Sequence, residues 1–205
     1  MKFAAAYTLL LPIFARAEYP SELAWTTTGC DSGAFCGTIE FCKSGRLTYG
    51  YRIPGDSAPC GENPGPLIRM QPGNKYKLTL HNTVSDASLK TNIHTHGLHI
   101  VGDGDGDDVT RFVEGGSCLD YTWDIASDHP GGTYWYHPHY HTLTNDQTSG
   151  GAFGMLIIED NYNQLNAWAH PENEKLLQIS NTGSVLGNGS DSEGEFTSSV
   201  WTPKQ

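Results

Sequence analysis

The sequence predicts an all-β protein built as a β-sandwich. Apolar and polar residues alternate over residues 75–80 and again over residues 119–125, as expected for strands with one buried face. A near-continuous apolar run over residues 151–159 is typical of a core strand. The 24 Gly and 11 Pro residues favour short strands joined by turns, and no long helical pattern is visible.

Residues 1–17 have the pattern of a secretory signal peptide. Lys2 precedes an apolar run over residues 3–14, and Ala15-Arg16-Ala17 matches a cleavage site. The run is too short to span a bilayer as a helix. We therefore expect a secreted, extracellular protein that begins near Glu18 and has no membrane anchor.

The net charge narrows the classes of partner. The formal charge is −11 at pH 7, which disfavours nucleic acid and anionic membrane surfaces as partners. The same charge favours the approach of metal cations.

Residues 18–63 form a cysteine-containing N-terminal segment. Four of the five cysteines, Cys30, Cys36, Cys42 and Cys60, lie in this segment, and Cys118 lies alone downstream. In an exported chain such cysteines are predicted to form disulfides rather than to bind metal. The sequence does not fix their connectivity, and the odd number leaves one thiol free or paired outside the chain.

Six of the nine histidines lie in or directly after two short stretches that have strand-like composition, residues 91–100 and 133–139. In a strand, residues i and i+2 point to the same face about 6.6 Å apart, so each His-x-His pair aims two imidazoles at one space. Two such strands side by side predict a metal site of four imidazoles. Its ligands would be His94, His96, His137 and His139.

Imidazole ligands alone suit zinc, copper, iron or nickel. A cupin would need a carboxylate a few residues after its His-x-His pair, and none closely follows His96 or His139. A zinc hydratase or hydrolase would hold its open-site metal with three protein ligands. The second histidine pair supplies one ligand too many for that alternative.

Several motifs together resemble a known domain. HTHG, followed downstream by GGTYWYHPHYH, Gln147 and GGAFGMLIIED, resembles the amino-terminal plastocyanin-like (cupredoxin) domain of the multicopper oxidases, the laccase-like enzymes. Upstream, PGPLIRMQPGNKYKLTLHN resembles the early strands of the same domain. The resemblance covers residues 64–160 and implies a Greek-key β-sandwich of cupredoxin type. The domain begins at residue 64 or earlier, near residue 40.

The resemblance also implies roles for individual residues. The domain would supply half of the ligands of a trinuclear copper cluster, with His94 at the type 2 position and His96, His137 and His139 at the type 3 positions. His141 falls outside the matched ligand positions, and a supporting role for it stays open. Relatives carry an acidic residue shortly after the first histidine strand that helps to deliver protons, and Asp107 or Asp108 is the candidate.

The acidic loop GDGDGDD over residues 102–108 has a second interpretation. Counting from Asp103, acidic residues fall at positions 1, 3 and 5, and Glu114 falls at position 12, as in an EF-hand calcium loop. Position 6 is Asp108 instead of glycine, and no flanking helix is visible. A solvated turn is therefore favoured over a calcium site.

Residues 161–205 are predicted to be a linker and the incomplete start of a second domain. Residues 161–171 have linker composition, and residues 175–180 resemble the opening strand of the second domain of the family. Residues 182–199 are predicted to be a polar loop, which carries the only glycosylation sequon at Asn188.

Two functional hypotheses follow. In the favoured one, the chain is the N-terminal portion of a secreted multicopper oxidase, and substrate oxidation coupled to reduction of O2 to water belongs to a longer product with further C-terminal cupredoxin domains. The chain alone would be inactive, because Cys118 lacks the His and Met pattern of a type 1 copper site. A small-molecule reductant and O2 would be partners of the complete oxidase only.

The alternative is a stand-alone secreted copper-binding cupredoxin protein without oxidase activity. The first hypothesis is favoured because a chain that ends one strand into a new domain leaves an unpaired edge. A third hypothesis, a secreted β-sandwich that binds nothing, leaves the presence of four histidines in two matching pairs unexplained.

Overall fold

Short β-strands make up most of the regular structure. The computed structural model describes residues 21–45, 48–56, 60, 64–160, 165–166, 170, 173–182 and 195–201. In chain order, the elements within them are β1 (Ala34–Ser44), β2 (Thr48–Arg52), β3 (Gly65–Met70), β4 (Lys75–Asn82), β5 (His94–His96), β6 (Cys118–Asp124), β7 (Gly132–His137), α1 (Thr144–Ser149), β8 (Gly154–Ile158), β9 (Leu176–Thr182) and β10 (Glu195–Trp201).

Two four-stranded sheets form the sandwich, which confirms the predicted fold class. The first sheet has the order β2-β1-β4-β6, and the second has the order β3-β8-β7-β5. Each sheet contains one parallel pair, β1 with β4 and β3 with β8, and its other pairs are antiparallel. The first sheet thus includes two strands upstream of residue 64.

The core lies between the two sheets. The alternation in β4 buries Tyr76, Leu78 and Leu80, and the alternation in β6 buries Tyr121 and Trp123. From the second sheet, the side chains that join this core include Ile68, Met70, Tyr136, Leu156 and Ile158. The period-2 pattern in the sequence therefore marks the inner face of the first sheet correctly.

Strand β8 is apolar on both faces because both are covered. Leu156 and Ile158 face the main core, whereas Met155 and Ile157 form a second cluster with Leu67 and Leu176. The start of β9 therefore covers the outer face of the second sheet.

Two predicted elements differ from the structure. The strand predicted over residues 91–100 is limited to β5, because Gly97 follows it with a φ of 95° and turns the backbone away. The loop predicted over residues 182–199 is wrong at its end, since β10 pairs with β9 over seven residues. The predicted signal peptide, the sequon at Asn188 and most of the linker lie outside the described residues.

Four of the five cysteines form two disulfides. Disulfides join Cys30 to Cys36 and Cys42 to Cys60, which confirms the prediction that these cysteines pair, and Cys118 is free and exposed on β6. No helix within the described ranges is long and apolar enough to cross a membrane.

Replacing Gly154 by alanine is expected to destabilise the fold by about 3 kcal/mol or more. An added Cβ would lie 2.3 Å from the ring and hydroxyl of Tyr136. Tyr136 cannot move away easily, because it is fully buried and its hydroxyl donates a hydrogen bond to the Pro66 carbonyl. Urea unfolding would measure the loss.

Gly102→Ala is the matched control for this change. Nothing lies within 4 Å of an added Cβ at Gly102, so the unfolding free energy should change by less than about 0.5 kcal/mol. Equal effects of the two substitutions would contradict the packing of β8 against β7.

Candidate metal centre

The pairing of β5 with β7 brings the two histidine pairs together. The strands are antiparallel neighbours, and their register places His94 opposite His137 and His96 opposite Trp135. Thr95 and Tyr136 point the other way and are buried. The histidines therefore share the opposite face of the second sheet, as the spacing predicted.

Three of the four predicted ligands converge. One ring nitrogen from each of His94, His96 and His137 lies within 4.8 Å of the others, and Nδ1 of His96 lies 3.4 Å from Nε2 of His137. The fourth, His139, lies beside them, with its ring centroid 5.0 Å from that of His94 and 5.8 Å from that of His137. His139 is thus adjacent to the group of three nitrogens but not part of it.

The centre is open to solvent on one side. His137 is buried and His94 half-buried, whereas His96 and His139 are exposed. An open side is compatible with further ligands that come from outside this sheet.

A backbone hydrogen bond orients His137. Its Nδ1 lies 2.9 Å from the Pro138 carbonyl, which can only accept, so the proton sits on Nδ1 and the lone pair of Nε2 faces His96. Burial, with a smaller contribution from the neighbouring imidazoles, lowers the pKa of His137 to about 4, although the hydrogen bond to Pro138 acts in the opposite direction. The ring is therefore neutral at pH 7, as metal binding requires.

The Asp107 carboxylate lies next to Nδ1 of the His94 ring. The buried carboxylate accepts hydrogen bonds from the amide and the hydroxyl of Thr95, and its Oδ2 lies 2.9 Å from Nδ1 of His94. This distance is short enough for an ion pair, but the angle between the two groups does not allow a hydrogen bond. Nδ1 of His94 is therefore buried without a hydrogen-bond partner. A small rotation of the ring would complete a carboxylate–histidine contact, which presents Nε2 to a metal.

Of the two acidic candidates, only Asp107 faces the centre. Asp108 turns to Thr110, accepting hydrogen bonds from its amide and hydroxyl, and these bonds lower the pKa of Asp108. The structure therefore separates two residues that the sequence left equivalent.

Asn92 connects the two histidine segments and was missed in the sequence. Its fully buried side chain accepts a hydrogen bond of 2.6 Å from the amide of His139 and donates to the carbonyls of Val109 and Arg111. The available signal was a polar residue two positions before His94, on the ligand side of the strand.

Gln147 supports the same region from α1. Its buried amide donates to the Lys90 carbonyl at 2.7 Å and accepts from the Thr91 hydroxyl at 2.9 Å. This helix residue therefore fixes the segment that leads into β5.

Trp135 also borders the centre and was missed. Its indole stacks on His137 with centroids 4.1 Å apart and on His96 with centroids 5.2 Å apart, yet it remains 37% exposed. The strand period places Trp135 on the same face as His137, which was the available signal.

The other singled-out residues lie elsewhere. The amide of His99 donates to Nε2 of buried His129, whose Nδ1 lies 2.9 Å from the Pro130 carbonyl. His141 is exposed beyond the strand end and does not join the cluster of nitrogens. The acidic residues 103–114 do not converge either, since the histidines are the one metal-ligating group found in the described part of the chain.

The residues present fit a metal ion bound by imidazole. Nitrogen ligands bind such ions at about 2.0 to 2.1 Å, so two of them on one tetrahedral ion lie about 3.3 Å apart. The 3.4 Å between His96 and His137 matches this spacing, and the orientation of His137 leaves a lone pair there. Clustered imidazoles suit copper or zinc rather than calcium or magnesium.

Comparisons with known proteins point to one family. A family model described as multicopper oxidase matches residues 59–163. Multicopper oxidase mco of Staphylococcus epidermidis is 32% identical over 125 residues, which are 60% of this chain and 25% of the relative. Laccase-2 of Thanatephorus cucumeris is 30% identical over 121 residues, 57% of this chain and 20% of the relative. The chain thus spans a quarter or less of these relatives.

Solved structures share the fold. A laccase from Pediococcus acidilactici has a TM-score of 0.55 at 22% identity, covering 73% of this chain and 31% of that one. A multicopper oxidase from Campylobacter jejuni, described as a metallo-oxidase, has a TM-score of 0.55 at 26% identity, covering 71% and 30%.

Proposed function

The chain belongs to the multicopper oxidase family, and from that premise we propose that it binds copper through His94, His96, His137 and His139. Membership of the family implies copper, and clustered imidazoles suit it. The observation that carries the proposal is the convergence of three ring nitrogens within 4.8 Å of one another. The fourth proposed ligand, His139, lies beside this group, with its ring centroid 5.0 Å from that of His94.

We assign His94 to the type 2 position and His96, His137 and His139 to the type 3 positions. The domain then contributes half of the ligands of a trinuclear cluster, and its open side leaves room for the other half. When bound, copper would supply the redox chemistry that moves electrons from a reductant to O2. The Pro138 carbonyl orients the His137 imidazole, and the Asp107 carboxylate lies 2.9 Å from Nδ1 of His94.

Oxidase activity is proposed for a longer protein. That protein would couple oxidation of a small-molecule reductant to reduction of O2 to water, with further cupredoxin domains that supply the type 1 copper and the remaining ligands. The relatives, of which this chain spans 25% or less, support this proposal. A secreted location is proposed as well, supported by the two disulfides.

The alternative proposal is a stand-alone copper-binding protein without oxidase activity. The strand predicted to open a second domain corresponds to β9, which pairs with β10 in a separate two-stranded sheet. We also place the start of the copper domain at β1, because β1 and β2 are half of the first sheet.

Copper-loaded chain is expected to be pale and to give the paramagnetic signal of a type 2 site. An intense blue band needs a thiolate ligand. Four cysteines are in disulfides, and Cys118 lies on β6 in the other sheet from the histidines. Optical absorption and electron paramagnetic resonance during copper titration would test this. A deep blue solution would contradict it, and Cys118→Ser would then identify the ligand.

Acidification is expected to destabilise the copper-free chain between about pH 6.5 and pH 4. The pKa of His137 is about 4 in the folded chain, below its usual value, so the unfolded chain binds a proton that the folded chain does not. The contribution of His137 to the free energy of unfolding is therefore fully present above about pH 6.5. It falls by on the order of 3 kcal/mol as the pH drops to 4.

Chemical unfolding at several pH values would measure this effect. His137→Gln removes the titrating ring and should flatten the profile in this range, whereas His141→Gln, at an exposed position, should leave it unchanged. A profile for His137→Gln as steep as that of the unmodified chain would contradict the assignment.

A further inference from the structure

We propose that a cavity beside His139 is the loading site for the copper ion, with His141 as the imidazole that first captures it. This inference rests on the proposed function, since the ion captured there is passed to the four ligands. It assigns a role to His141, which lies outside the ligand positions of the family resemblance.

His139 borders both the cavity and the metal centre. The cavity has a volume of about 650 Å³, and it is lined by Val109, Thr110, His139, Tyr140, His141, Thr142, Thr144 and Asn145. The ring of His139 is also in contact with His94, at a centroid distance of 5.0 Å. An ion that binds in the cavity next to His139 can therefore reach the metal centre by exchanging its ligand in the cavity for His139.

A hydrated ion fits in the cavity. Six waters at about 30 Å³ each occupy about 180 Å³, well under the cavity volume. A copper ion can therefore enter with its water shell and exchange water for imidazole inside. The hydroxyls of Thr110 and Thr144 and the amide of Asn145 can hydrogen-bond that water shell.

His141 is available for capture. It is exposed, and within the described part of the chain its ring makes no hydrogen bond, so a ring nitrogen is free to bind an ion. His129, by contrast, uses both nitrogens, one with the amide of His99 and one with the Pro130 carbonyl. His141 and His139 are separated by one residue and line the same space.

The backbone holds His141 at this position. The Tyr140 carbonyl accepts hydrogen bonds from the amides of Leu143 and Thr144 and from the Thr144 hydroxyl, which closes a turn around His141. Thr142 has a φ of 71°, a conformation that β-branched residues rarely adopt and that persists only where its surroundings impose it. The turn is thus fixed on one side by α1 and on the other by the bond between Asn92 and His139.

Transfer along this route needs no redox step. A Cu(II) ion exchanges a bound water for a nitrogen of His141, then exchanges the His141 nitrogen for that of His139, and keeps its charge throughout. His141 therefore affects the rate of loading and not the final occupancy.

The test is the rate of copper uptake by the purified copper-free chain, mixed rapidly with copper(II) sulfate. Quenching of tryptophan fluorescence reports arrival, because Trp135 lies 4.1 Å from the His137 ring. His141→Ala is expected to slow uptake about tenfold and to leave the copper content after dialysis unchanged. Asn145→Phe, which narrows the cavity without adding a tryptophan, is expected to slow uptake as well.

His81→Ala is the matched control, since His81 lies on β4 in the other sheet, and its uptake rate should equal that of the unmodified chain. Equal rates for His141→Ala and the unmodified chain would overturn the inference. So would a lower final copper content in His141→Ala, which would make His141 a permanent ligand. If the unmodified chain retains no copper, the proposed function fails and the loading site fails with it.

Discussion

The copper-loaded chain from Glu18 to Gln205 is expected to consume no oxygen above the rate of free copper when given a phenolic or amine donor. Four imidazoles from one sheet leave each copper of a cluster short of ligands, and the exposed side of His96 and His139 faces solvent. Electrons also need a type 1 copper with a Cys thiolate ligand. None of the five cysteines has a histidine beside it in the sequence.

Activity is expected only when a longer product that contains a His-Cys-His segment is expressed. An oxygen electrode would compare the two proteins at equal copper content. The control is His96→Ala, which should abolish the activity of the long product and leave the background of the short chain unchanged. Turnover by the short chain that His96→Ala abolishes would contradict the proposal and favour a self-contained copper oxidase.

The periodicity of strands explains why the sequence predicted the ligand face. His94 and His96 must share a face if they lie in one strand, and so must Trp135 and His137. The same rule placed Tyr76, Leu78 and Leu80 in the core, where the structure has them. These predictions need only the local backbone geometry of a strand.

Features that depend on pairing between distant strands could not be predicted. The register that sets His94 opposite His137 is a property of β5 and β7 together, and so is the stacking of Trp135 on His96. The bond between Asn92 and the amide of His139 joins residues that are 47 positions apart. Only the folded loop shows that Asp107 and not Asp108 turns toward His94.

The length of short elements was also hard to predict from composition. Gly97 ends β5 after three residues, although the surrounding sequence has strand-like composition. Strand β10 forms in a segment rich in polar residues because β9 offers it a partner. Pairing partners, more than intrinsic propensity, decide such cases.

Replacing His94 and His137 together by alanine is expected to weaken copper binding at least about 100-fold, or about 3 kcal/mol. These side chains face each other across β5 and β7 and provide two of the three converging nitrogens. Because His137 is buried, alanine at this position could lower copper binding simply by destabilising the fold. The double variant His94→Gln/His137→Gln leaves smaller cavities and separates the two effects. Both variants should keep the circular dichroism of the unmodified chain.

His81→Ala/His99→Ala is the matched control, because it removes the same number of imidazoles outside the converging group. The most direct measurement is the copper content of the purified chain after dialysis. The proposal predicts retained copper in the unmodified chain and in the control, and a loss of copper in both His94/His137 variants. Equal copper in all four proteins would contradict the assignment of the copper ligands.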